Sequence, residues 1–212
     1  IYAMYVRFGK RVFDIIIALP ALVILSPLMI GAAIWIKLDS KGSILFRQPR
    51  AGQGNVPFIV YKFRSMAQTA PSDMPTNDFK NADTYITRSG KVLRKLSIDE
   101  LPQLLNVIKG DMSIVGPRPV VLTEKRLLSL RAKHGATAVK PGITGWAQIN
   151  GRDELTPDKK SKLDGFYAKH VSFAFDVKCI LMTVWTVISL AGHSEGHENN
   201  TNKESQKLSV EE

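Results

Sequence analysis

The sequence is poor in the residues that most often announce a chemistry. It holds 1 cysteine among 212 residues, so no intramolecular disulfide can form, in keeping with a reducing compartment. Cys179 lies among apolar residues and reads as a small helix residue rather than a nucleophile. Of the 4 histidines, His193 and His197 have a helix-compatible metal spacing, but no third ligand lies nearby, so a histidine metal centre is not expected. There is no Walker loop and no GxGxxG stretch. Interleaved aromatics and any nucleic-acid fold signature are also missing, so nucleic acid is not an expected partner. Acidic residues are few: 19 against 29 Lys and Arg, a formal charge of +10. That imbalance calls for an anionic partner, a phosphorylated substrate or an acidic membrane surface.

Long apolar runs are scarce too, with one exception. A hydrophobic fraction of 44% is ordinary, and the length suits one compact core with an appended membrane element. Ile15 to Ile36 carries no charge and is hydrophobic on every face. At about 1.5 Å per residue it is long enough for a hydrocarbon core of roughly 30 Å. No small-residue cleavage site follows, which argues against a signal peptide. Ser26-Pro27 falls at its middle. Pro27 lacks an N–H, so a kink is expected there, and Ser26 can bond a freed carbonyl. Arg7, Lys10 and Arg11 precede the run, and Lys37, Arg47 and Arg50 follow it. Basic flanks prefer the cytoplasmic side. A helix bent at Ser26-Pro27 that leaves by the leaflet it entered satisfies both flanks; a kinked spanning helix is the alternative.

Beyond it, Ser43 to Gln48 and Pro57 to Phe63 are β-prone and read as a hairpin around Arg50 to Asn55. Alternation places Lys62 and Arg64 on one face, either aimed together at a phosphate or solvated on an edge strand. Residues 67–84 are polar and read as a loop. Ser89 to Leu96 reads as a short helix or turn, with Arg88, Lys91, Arg94 and Lys95 as further cations. Leu101, Leu104, Leu105 and Ile108 then recur at helical spacing, with Gly110 as a stop. Pro102 belongs in that helix's first turn, which puts Asp99 and Glu100 at its N-terminus. In isolation simple capping is the stronger reading, since Ser97 with Glu100 fits an S-x-x-E box and Asp99 can itself serve as an N-cap.

Arg118 stands between Pro117 and Pro119, whose rings stiffen the chain and lower the entropy lost when a guanidinium grips phosphate. A plain Pro-rich turn is the alternative. Thr123 to His134 reads as a helix. From Lys140 to Arg152 glycines alternate with polar side chains that can present donors to an anion, with Thr144, Gln148, Gly151 and Arg152 as candidates. Asp176 to Leu190 reads as a helix whose stripe of Val177, Ile180, Leu181, Val184 and Ile188, with Trp185 beside it, faces either the core or a membrane interface.

These blocks, taken in order, resemble the small monotopic bacterial phosphoglycosyl transferases. The resemblance covers roughly residues 6–190. It rests on Lys10-Arg11-Val12-Phe13-Asp14, Ser26-Pro27, Tyr61-Lys62-Phe63-Arg64-Ser65-Met66, Ser97-Ile98-Asp99-Glu100-Leu101-Pro102-Gln103, Gly116-Pro117-Arg118-Pro119, and Pro141-Gly142-Ile143-Thr144-Gly145 through Gly151-Arg152. It implies an α+β protein. Residues 1–37 would form a basic N-terminus and a re-entrant membrane helix broken at Ser26-Pro27. Residues 38–192 would form a small, mainly helical cytoplasmic domain with a short β-hairpin. The stretch 193–212 lies outside the resemblance, and its polar composition reads as a disordered tail. It further implies transfer of a sugar 1-phosphate from a UDP-sugar to polyprenyl (undecaprenyl) phosphate, at the cytoplasmic face of a bacterial inner membrane. Mg²⁺ is expected at Asp99 and Glu100. Asp99 is expected to form a phosphoglycosyl-aspartate with release of UMP, and Glu100 to bind metal or assist the lipid phosphate. Arg118 matches the Pro-Arg-Pro arginine, and Lys62 and Arg152 fall where phosphate is expected, with Arg64 and Arg88 as outer candidates. Two other classes stay open: a direct glycosyltransferase releasing UDP, and a non-enzymatic basic module on phospholipid bilayers.

Overall fold

The computed structural model of the chain describes residues 5–70, 82–151 and 155–193. The apolar run forms one helix, α1 (Lys10–Asp39), whose hydrogen bonding continues past Pro20 and Pro27. Among the described residues it is the helix long and apolar enough to cross a membrane. Pro27 cannot donate to the carbonyl of Val23 four residues back, and Ser26 Oγ donates to that same carbonyl at 2.7 Å. The expected repair is therefore present, and it makes a proline at this depth compatible with lipid.

The outward side of α1 is apolar and bare: Ile16, Val23, Ile24, Ile30 and Leu38 are each 60% exposed or more. Both of its ends, however, dock on the same domain. Near the start, Ala18 joins a core of Leu104, Val107, Met112 and Val115. Near the end, Ala32 and Ile36 close on Phe63 and Leu93. Polar pins repeat the pattern. Asp14 accepts from Ser113 Oγ (2.8 Å) and the Ile114 amide (3.0 Å), while Asp39 accepts from the Ser89 amide (2.9 Å) and hydroxyl (2.8 Å).

The hairpin pairs β1 (Leu45–Ala51) with β2 (Pro57–Phe63), antiparallel from Leu45↔Phe63 to Ala51↔Pro57. β1 runs past Gln48, where the sequence suggests it stops, and takes in Arg50. The reversal is tighter than expected because Gly54 (φ 64°) and Asn55 (φ 62°) both adopt left-handed backbone. Of the polar loop 67–84, residues 71–81 lie outside the described residues. Helix α2 (Arg88–Lys95) starts at Thr87, whose Oγ1 accepts the Gly90 amide at 3.0 Å.

Helix α3 (Gln103–Lys109) ends as expected at Gly110, whose φ of 96° lets its N–H reach the Asn106 and Val107 carbonyls. Buried Asn106 ties α3 to β2, accepting the Tyr61 amide (2.9 Å) and donating to the Ile59 carbonyl (2.7 Å). Arg11 ties it to α1, donating to the carbonyls of Val107 and Ile108. Short strands β3 (Ser113–Val115) and β4 (Gly142–Thr144) then pair in parallel. Around them stand α4 (Lys125–His134), α5 (Trp146–Ile149), α6 (Pro157–Lys169) and α7 (Phe173–His193). On α7 Cys179 is buried, but Leu181, Val184 and Trp185 are 64%, 51% and 73% exposed. The stripe divides: Ile180 packs against the core beside Cys179, whereas Leu181, Val184 and Trp185 leave an apolar face open. The side chain of Ile188 lies outside the described residues.

Candidate active site

Asp99 and Glu100 lie in a 3-10 turn, Ile98–Glu100, between α2 and α3. Ser97 before them adopts left-handed backbone (φ 55°), costly for a non-glycine residue, and its side chain caps nothing. The expected capping box is therefore not formed; the Ser97 carbonyl instead accepts the Glu100 amide at 3.3 Å. Ile98 packs on the Ala32, Ile36, Phe63 and Leu93 cluster, which anchors the turn to the second half of α1. The helix proper begins after Pro102, so the dyad stands before its N-terminus rather than on it. The charges that meet it come from side chains.

Glu100 is clamped. Its Oε1 accepts from Lys62 Nζ (2.7 Å) and Arg118 Nη2 (2.6 Å), and its Oε2 from Arg118 Nη1 (3.2 Å). Burial alone would raise its carboxyl, but Arg118 and Lys62 outweigh that and hold it far below the usual glutamate range. Burial, aided by Arg118, pulls the Lys62 ammonium below its ordinary value, with Glu100 and Asp99 opposing. Asp99 is different. No hydrogen bond holds its carboxylate among the described residues, and burial raises it above the ordinary aspartate value. Lys62 opposes that rise, Glu100 adds to it, and Arg94 and Arg118 oppose it.

Arg118 is held from behind. Its carbonyl accepts Arg131 Nη1 (2.9 Å), and Arg131 Nε donates to buried Asp164 at 2.8 Å. The Pro117 carbonyl accepts the Gly142 amide (3.0 Å), so the Pro-Arg-Pro segment lies against β4. The approach there is close enough that a Cβ on Gly142 would sit 2.1 Å from the Gly116 nitrogen.

Of the candidates read from sequence, Lys62, Asp99, Glu100 and Arg118 come together, and Pro119 lines the adjoining pocket. Arg64 does not join them. It is buried at the exit of α1, donating to the Lys41 carbonyl, the Ser40 carbonyl (2.8 Å) and Ser40 Oγ (2.9 Å). The shared face expected for Lys62 and Arg64 fails because β2 ends at Phe63. Arg88 lies at the start of α2 beside Asp39. Thr144 Oγ1 bonds Thr183 Oγ1 at 2.6 Å, and Gln148 donates to the Ile143 carbonyl at 3.1 Å. Both thus have structural partners within the fold. Gly151 follows α5 with a φ of 140°, and Arg152 lies outside the described residues.

The sequence reading did not place Arg50, Arg94 or Gln103 at the site, although it counted Arg50 and Arg94 among the cations. Arg50 and Gln103 line a pocket with Val60, Lys62, Arg118 and Pro119. A signal for Arg50 existed: if β1 continues past Gln48, a period of two puts Arg50 on the face of Phe46 and Gln48, whose cross-strand partners are Lys62 and Val60.

Among the described residues no three Asp, Glu, His or Cys side chains converge as a metal cage. A hard cation held by one or two carboxylates, with a ligand's phosphate oxygens completing its shell, needs no such cage. Asp99, with its oxygens free of hydrogen bonds, suits that role.

The profile of the bacterial sugar transferases matches residues 5–190. This chain belongs to the bacterial sugar transferase family. Family relatives include a UDP-N-acetylgalactosamine-undecaprenyl-phosphate N-acetylgalactosaminephosphotransferase of Aeromonas hydrophila, 42% identical over 86% of this chain and 44% of that protein. The UDP-glucose:undecaprenyl-phosphate glucose-1-phosphate transferase of Escherichia coli K12 is 41% identical over 84% of this chain and 40% of its own length. The sugar transferase EpsL of Bacillus subtilis is 40% identical over 86% of this chain and 89% of its own length. The chain thus spans less than half of the first two transferases and most of the third.

Proposed function

We propose that the chain transfers a sugar 1-phosphate from a UDP-sugar to undecaprenyl phosphate through a covalent phosphoglycosyl-aspartate. The observation that carries this is the contrast within the dyad. Glu100 is spent neutralising Lys62 and Arg118, while Asp99 beside it is half-buried, without a hydrogen bond among the described residues and raised in basicity, as a nucleophile should be. Asp99 attacks the sugar-bearing phosphorus. The bond from that phosphorus to the bridging oxygen breaks, and UMP leaves with the electron pair. An oxygen of the lipid phosphate then attacks the same phosphorus and returns the Asp99 carboxylate. Lys62 and Arg118, oriented by Glu100, face the charge carried by the phosphoryl oxygens. Asp99 would hold Mg²⁺, which when bound supplies further neutralisation of the diphosphate; Glu100, the other expected ligand, has both oxygens taken by Lys62 and Arg118.

The reading extends to the membrane. A helix crossing the bilayer would carry the region of Asp14 and that of Asp39 to opposite surfaces, yet both are pinned to one domain. That favours α1 as a re-entrant helix, with its apolar outer side and the open face of α7 in lipid and the domain on the cytoplasmic face of the inner membrane. An active site anchored through Ile98 to α1 then works at headgroup level, where the acceptor phosphate lies.

A product assay with UDP-sugars and undecaprenyl phosphate tests the chemistry. UMP release with a lipid diphosphosugar is expected. UDP release would make it a direct glycosyltransferase, and no product with any UDP-sugar would leave a basic membrane-binding module. Labelling a cysteine placed at residue 5 tests the topology: protection from an impermeant reagent outside the cell is expected, and labelling there would contradict it.

A further inference from the structure

We infer that Arg50 and Gln103 form a second oxyanion subsite, built to receive a phosphate oxygen beside the Glu100 clamp. This rests on the transfer reading in taking the anion to be a substrate phosphate. Gln103 opens α3 and is 2% exposed, yet among the described residues its Nε2 has no hydrogen-bond partner. A buried amide N–H left unmade is costly, and such groups in native proteins call for a reason. Here it lines the pocket shared with Arg50, Lys62 and Arg118.

Arg50 supplies the second observation. Among the described residues it has no carboxylate partner; its hydrogen bond is to Gln48 Oε1 at 2.5 Å. Burial, with Arg118 close by, pulls its guanidinium down to about 10, with Glu124 and Glu100 opposing. The pocket wall carries three cations, Arg50, Lys62 and Arg118, and two of them, Lys62 and Arg118, are already bonded to Glu100. A guanidinium fork and an amide N–H can both donate to one phosphate, and doing so satisfies the orphan amide and supplies Arg50 with an anion. The phosphate has two sources, the nucleotide of the donor or the head of the lipid acceptor, and binding separates them.

The test uses the full chain in nanodiscs, with calorimetric binding of UMP in one arm and of a short-chain polyprenyl phosphate in the other. Gln103→Leu and Arg50→Gln are compared with wild type, together with their melting temperatures. Whichever phosphate occupies the subsite should bind about tenfold to a hundredfold more weakly to each variant. The other ligand should be nearly unaffected. Gln103→Leu should melt at or above the wild-type temperature, since it removes a buried amide that has no partner; a packing role for Gln103 would instead lower it. Wild-type affinity of both variants for both ligands would overturn the subsite, even if the enzyme turns over normally. Loss of binding in a chain that makes no lipid-linked sugar would leave the subsite standing and sink the transfer reading.

Discussion

Two acid clusters in this molecule, one buried and one half-buried, differ in a way that separates structure from chemistry. The first joins the start of α1 to α7. Asp176, fully buried, accepts the hydroxyls of Tyr5 (2.6 Å) and Tyr167 (2.6 Å) and lies 3.0 Å from Lys10 Nζ. Asp14 nearby accepts Ser113, the Ile114 amide and Lys10. Both carboxylates are fully engaged there. The second cluster is left open, with Asp99 unbonded and the Gln103 amide orphaned among the described residues. A satisfied polar network fixes one conformation, whereas an unsatisfied one stores a demand that a ligand can meet.

The difference is sharpest if one carboxylate is neutralised in each cluster. Asp99→Asn should lose at least about four orders of magnitude in turnover, the scale for removing a nucleophile, while its melting temperature holds or rises. Asp176→Asn should do the opposite. It leaves Lys10 with a weaker partner and costs roughly 3–5 kcal/mol in denaturant melts, with activity per folded molecule retained.

Glu100→Gln should give an intermediate effect, about a hundredfold lower kcat, because Lys62 and Arg118 lose the charge that orients them. It also moves the pH profile of kcat/KM. In the wild type the acidic limb should lie above the ordinary aspartate value of 3.8, since Asp99 must be ionised and burial raises it. The alkaline limb should lie below the ordinary lysine value of 10.5, since burial and Arg118 make Lys62 lose its proton early. Glu100 raises both groups, so in the variant both limbs should shift to lower pH. Movement of either limb the other way would break the assignment. The smallest change expected is Tyr5→Phe, which removes one donor to Asp176; it should cost about 2 kcal/mol of stability and no activity.

The local features were readable in the sequence, and the long-range ones were not. Gly110 as a helix stop and the carbonyl freed by Pro27 and taken by Ser26 each follow from a few adjacent residues. Asp99 and Glu100 were legible as a pair, but the reason first offered, a helix N-terminus with a Ser97 cap, gave way to a left-handed Ser97 and a side-chain clamp. Arg64 went astray because alternation says nothing about where a strand ends, and one residue past β2 the side chain turns to close the exit of α1. Gln103 was hidden inside a helical pattern, since nothing in periodicity reveals that a buried amide lacks a partner. The Lys10 and Asp176 pairing depends on packing between opposite ends of the chain, beyond any local pattern.

The most direct measurement is intact mass of the protein after rapid mixing with a radiolabelled UDP-sugar and no lipid acceptor, followed by peptide mapping. A sugar-phosphate adduct on Asp99, absent in Asp99→Asn and discharged on adding undecaprenyl phosphate, is the predicted result. Turnover to lipid-linked sugar with no adduct on Asp99 at any time point would contradict it.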